Sequence, residues 1–139
     1  MMHRACKYFS CFVIIFSGLS YASADSRTVF FDKDFTLSIG ESVQVESGLG
    51  FIKFIKVLED SRCPVNVTCV WAGNVKTEFE ILDNDRKKTS IFLNTGFQPN
   101  KVSLPGYTLQ LLSVFPPKVE GAAISPEEYR VKLSIKQSH

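Results

Sequence analysis

Two cysteines and the only tryptophan of the chain fall within one short stretch: Cys63, Cys69 and Trp71. As thiolates, Cys63 and Cys69 could hold a soft metal, but two such ligands without histidine or further cysteine beside them make an incomplete coordination set. Oxidised, they close a small ring, and loop-closure entropy makes such a ring worth about 2 kcal/mol. The spacing is unlike an immunoglobulin bridge, whose cysteines lie on strands far apart in sequence. Glu59-Asp60-Ser61-Arg62 precedes the ring and Ala72-Gly73-Asn74 follows Trp71. Two readings follow. In the structural one, the disulfide Cys63–Cys69 fixes a crossing loop and Trp71 covers it or plugs the core; this is the expected arrangement. In the functional one, a rigid loop presents Asp60, Arg62 and Trp71 to a partner, with Arg62 exposed. The two are compatible.

Other chemistries find little support. The histidines are His3 and His139, one near each end. A Ser–His–Asp or Cys–His site needs a positioned imidazole, and a terminal residue is a poor place for one. Glu59-Asp60 and Glu127-Glu128 are adjacent carboxylates, but neighbours on a strand face opposite ways. Asp83-Asn84-Asp85 lacks the glycine and the closing glutamate of a calcium loop. Gly48-Leu49-Gly50 lacks the helix that a phosphate cradle requires. Asn66-Val67-Thr68 is a glycosylation sequon, relevant only in a eukaryotic secretory route. The expectation is a chain that is not an enzyme, with no cofactor and no metal. A hydrolase using carboxylates from distant positions is the alternative.

The ends set the compartment. Met1 to Tyr8 is short and basic, Phe9 to Leu19 is apolar, and Ala22-Ser23-Ala24 offers the small residues that signal peptidase reads. The apolar run is short for a bilayer span, which needs about 20 residues. Residues 1–24 therefore read as a cleaved signal peptide, and 25–139 as one exported domain, periplasmic or secreted, with no membrane span after cleavage. Removing Arg4 and Lys7 with the signal leaves 14 basic against 14 acidic residues. A neutral domain has no global field to gather nucleic acid, so no nucleic-acid partner is expected. Cleavage also removes Cys6 and Cys11, and the remaining cysteine pair suits an oxidising compartment.

Strand periodicity dominates the mature chain. Val75, Thr77, Phe79 and Ile81 share one face, and Lys76, Glu78 and Glu80 the other. The Asp83-Asn84-Asp85 turn leads into Lys88 to Asn94, so residues 74–94 read as a hairpin. Tyr129 to Lys136 alternates as cleanly. Phe35 to Ile39, Ser42 to Glu46, Phe51 to Leu58 and Tyr107 to Phe115 complete the main strands, with Thr28 to Phe31 a short edge strand. Thr95 to Gly106 and Pro116 to Glu128 read as long loops, the latter ending in a single helical turn at Ser125-Pro126. The fold class is all-β: one β-sandwich or partly open barrel of about seven or eight antiparallel strands with one local disulfide. The stapled segment must then join two strands.

Leu58-Glu59-Asp60-Ser61-Arg62-Cys63-Pro64, followed by Cys69-Val70-Trp71-Ala72-Gly73-Asn74, resembles a signature of small exported bacterial β-domain proteins of unknown function. A Phe-Thr-Leu strand with Gly40 before it, and Gly106-Tyr107 and Pro126 to Arg130 after it, extend the resemblance over about Phe35 to Ile135. It implies a β fold and a periplasmic or surface location, and no activity. The functional expectation is an exported β-domain that binds a protein or envelope component, or else an accessory subunit of a surface assembly.

Overall fold

A computed structural model describes residues 26–139 of the chain. The expected signal peptide, 1–24, lies outside the described residues. Nine strands follow in order: β1 Thr28–Val29, β2 Lys33–Ser38, β3 Ser42–Val45, β4 Phe51–Asp60, β5 Val75–Leu82, β6 Lys88–Asn94, β7 Lys101–Leu104, β8 Tyr107–Phe115 and β9 Arg130–Gln137. They form a five-stranded sheet, β1-β3-β4-β5-β6, and a four-stranded sheet, β2-β9-β8-β7. The all-β class therefore holds. Two differences in detail have physical causes. β7 lies inside the segment read as loop, because Lys101 to Leu104 alternates for only four residues before Pro105-Gly106 turns it into β8. β1 pairs with β3 in parallel, since a crossing through β2 of the other sheet separates them.

The two sheets enclose one core. β5 buries Val75, Thr77, Phe79 and Ile81 and leaves the residues between them part-exposed. Thr77 is tolerated in that row because its hydroxyl donates to the Leu93 carbonyl at 2.9 Å. Phe54 on β4 meets Phe79 with ring centroids 5.3 Å apart, a separation within the favourable aromatic range. From the other sheet, Leu109 and Leu111 on β8 and Val131, Leu133 and Ile135 on β9 fill the core. A register shift between Leu111 and Ser113 breaks the alternation of β8, so Val114 turns inward where strict alternation would place Ser113. That shift aims the end of β8, and the Val114 carbonyl, at the stapled segment.

Hairpin β5–β6 pairs Lys76 to Leu82 with Lys88 to Asn94, as the alternation predicts. The single turn expected near Ser125 is a 3-10 turn over Pro126–Glu128. There the Glu128 carboxylate accepts the Ser125 N–H at 2.7 Å. That turn delivers Tyr129 to the head of β9 beneath the same segment.

Candidate functional site

The stapled segment is the tip of hairpin β4–β5. Strand pairing ends at Asp60 and Val75, but the two arms stay zipped beyond it. Ser61 N–H donates to the Asn74 carbonyl at 2.8 Å and Cys63 N–H to the Ala72 carbonyl at 2.9 Å. This close approach depends on Gly73, which sits at φ 78°. A Cβ there would lie 1.9 Å from the Ser61 carbonyl oxygen, closer than any side chain can come. The disulfide Cys63–Cys69 then closes the outermost part, with Cα atoms 5.9 Å apart, inside the span a disulfide bridges.

The underside of the tip rests on a part-buried polar clamp. The Arg62 guanidinium forks onto the Asp60 carboxylate, Nε to Oδ1 at 2.9 Å and Nη2 to Oδ2 at 2.6 Å. Its third arm donates to the Val114 carbonyl at 2.8 Å. Tyr129 Oη donates to Asp60 Oδ2 at 3.0 Å, and Lys118 Nζ donates to the Asp60 carbonyl at 3.1 Å. One cluster thus ties the tip to β8, to the β8–β9 loop and to the head of β9. The Arg62 side chain is 16% exposed and that of Asp60 is 10%. The expectation of an exposed Arg62 is corrected: its charge finds a carboxylate two residues away and a carbonyl on the opposite sheet. Burial alone would raise the Asp60 pKa, but the hydrogen bonds from Arg62 and Tyr129 and the guanidinium charge outweigh it and hold the carboxyl below its ordinary value. The Tyr129 phenol is pushed up, first by burial and then by its bond to Asp60.

The outer side is different. Trp71 is 79% exposed and Val70 fully so. The expectation that Trp71 plugs the core is therefore also corrected. The tip projects past the end of the sheet, where what lies beneath it is the clamp and not the core. Opposite Trp71 stands Phe97, 61% exposed, on the β6–β7 loop. Asn74, 3% exposed, positions that loop. Its Nδ2 donates to Asn94 Oδ1 at 2.9 Å and its Oδ1 accepts Gly96 N–H at 2.9 Å. Val75 N–H donates to Thr95 Oγ1 at 2.9 Å beside them. Gly96 lies so close that a Cβ on it would stand 2.3 Å from the Gly73 carbonyl oxygen.

Between the two loops opens a groove of about 560 Å³ lined by Glu59, Ser61, Trp71, Ala72, Gly73, Gly96 and Phe97. Val65, Val70, Trp71, Phe97, Phe115 and Val119 are six of the ten exposed large apolar residues and all belong to this end of the sandwich. Single apolar residues scattered over a surface are ordinary, whereas these gather at one end. Of the sequence candidates, Trp71 lies on this surface and Asp60 and Arg62 lie under it. Phe97, Gly96, Asn74 and Tyr129 were not anticipated as members. For Phe97 the available signal was an aromatic residue in a glycine- and proline-containing loop.

At the opposite end, a cavity of about 370 Å³ lies between the β5–β6 turn and the β7–β8 turn. Asp83 and Asp85 both line it, but Asp83 Oδ1 already accepts the N–H groups of Asp85 and Lys87, each at 2.9 Å. Those bonds build the turn. Among the described residues, no three or more His, Cys, Asp or Glu side chains gather into a metal-binding group, and no helix is long and apolar enough to cross a membrane. No protein-family model, curated protein or solved structure matches the chain.

Proposed function

We propose that this chain is an exported, non-enzymatic β-domain, periplasmic or secreted, that binds a protein or envelope component through the outer face of its stapled hairpin tip. The observation that carries the reading is the placement of Trp71. The only tryptophan of the chain stands in solvent on a loop immobilised by a disulfide, a zipped backbone and an ion-pair clamp. Tryptophan is enriched among the residues that dominate interface energies. A rigid mount lowers the ordering cost of binding. Phe97 and the groove beside it enlarge the apolar contact available to a partner. The disulfide fits an oxidising compartment, and the basic–apolar–small order of residues 1–24 supports export.

The test is affinity capture from envelope extracts of the source organism, with native protein and Trp71→Ala run side by side. Trp71→Ala should lose the captured partner while melting within about 0.5 kcal/mol of the native protein, as surface substitutions do. Capture of the same partner at equal yield by both proteins would remove the reading.

A further inference from the structure

We infer that the groove between Trp71 and Phe97 takes a basic side chain, lysine or arginine, presented by a protein partner. This rests on the reading of the tip as a binding surface and adds the chemistry of its ligand. Glu59 is the one charged residue that lines the groove. It is exposed, and among the described residues no Lys or Arg nitrogen lies within ion-pair distance of it. Its partner across the β4–β5 register is Lys76. Lys76 leans the other way, over the Phe92 ring on β6, with Nζ 5.5 Å from the ring centroid. The carboxylate is thus left to the groove.

Two of the lining side chains, Trp71 and Phe97, are aromatic. Ring faces carry negative electrostatic potential and attract an ammonium or a guanidinium, tryptophan most strongly. Two aromatic side chains with a carboxylate in the same lining therefore favour a cation on an apolar stem: the stem lies along the rings while the charge meets Glu59. The volume of about 560 Å³ exceeds one side chain and leaves room for the backbone that carries it. A protein segment therefore fits better than a free amine.

Trp71 is the only tryptophan, so its fluorescence reads the site directly. The purified protein would be titrated with the capped pentapeptide Ala-Ala-Arg-Ala-Ala, with its lysine counterpart, and with norleucine or glutamate at the centre. The cationic peptides should give a saturable change. Norleucine, which loses both the cation–π contact and the pairing with Glu59, should bind about ten-fold more weakly or worse. Glu59→Gln should weaken the arginine peptide by about three- to five-fold, and added salt should do the same to the native protein. In Trp71→Ala, the amide resonances of Gly73 and Gly96 replace fluorescence as the readout and should no longer shift.

Norleucine binding as tightly as arginine would overturn the inference and leave an apolar slot, with the proposed binding function intact. A response to phosphatidylcholine vesicles without any response to the peptides would overturn it in favour of a lipid headgroup. Absence of binding by either cationic peptide would overturn it outright.

Discussion

The two sides of the stapled tip invert the usual association of residue type with environment. Underneath, a charged pair, Asp60 and Arg62, is partly buried. Outside, the most apolar-bodied residue of the segment, Trp71, stands in solvent. The difference follows from what each side meets. The underside faces the ends of β8 and β9, where the Val114 carbonyl and the Tyr129 hydroxyl need partners. A forked guanidinium and a carboxylate satisfy both, and aliphatic residues would strand them. The outer side meets nothing of the domain. On the proposed reading, stability and recognition fall on opposite faces of one loop, and substitution can separate them.

The largest effect should come from breaking the underside. Arg62→Ala leaves Asp60 semi-buried and the Val114 carbonyl unpaired, and should cost about 3 kcal/mol, the lower end for opening a buried ion pair. At about 4 °C per kcal/mol for a domain of this size, that is about 12 °C in melting temperature. A loss below about 0.5 kcal/mol would show the clamp to be ornamental. Replacing both Cys63 and Cys69 by Ser should cost about 2 kcal/mol, the closure entropy of a small ring. Calorimetry of the double variant checks this, and a larger loss would mean that the ring also packs the tip.

The clamp also has a pH signature. The folded pKa of Asp60 is lowered, so its contribution to stability is present above the ordinary carboxylate pKa and is lost as pH falls through the folded value. The stability gap between native protein and Asp60→Asn should be full at pH 7 and should shrink below about pH 4. Melts across that range decide it, and a gap constant down to pH 2 would contradict the clamp.

Two tyrosines give the finest comparison. Tyr129 Oη has Asp60 as acceptor, whereas the hydroxyl of Tyr107 is buried without a hydrogen-bond partner among the described residues. Burial pushes the Tyr107 phenol up to about 12. Tyr129→Phe should cost about 1.5 kcal/mol, as for a hydrogen bond to a charged group. Tyr107→Phe should be neutral or slightly stabilising, since it removes an unsatisfied polar atom. Equal losses in both would erase the distinction.

The strands were legible because period-two alternation is local: Val75 to Ile81 and Val131 to Ile135 announce their buried face residue by residue. The clamp was not legible, because Arg62 and Val114 are 52 residues apart and Asp60 and Tyr129 are 69 apart. No local pattern encodes a contact at that distance. Tyr129 could be placed on the inner face of its strand but not assigned a partner. Trp71 was misplaced by its type alone. Burial preferences apply to elements that have a core beneath them, and the hairpin tip has none. The exposure of Trp71 depends on how far β4 and β5 run before pairing stops, at Asp60 and Val75.

Acrylamide quenching of the intrinsic tryptophan fluorescence tests the separation of the two faces most directly, since Trp71 is the only emitter of its kind. The native protein should emit like a solvated indole and quench nearly as steeply as N-acetyltryptophanamide, with little further change on unfolding. A blue-shifted, shielded emission that becomes quenchable only on unfolding would place Trp71 in the packing and contradict the outer face as a free recognition surface.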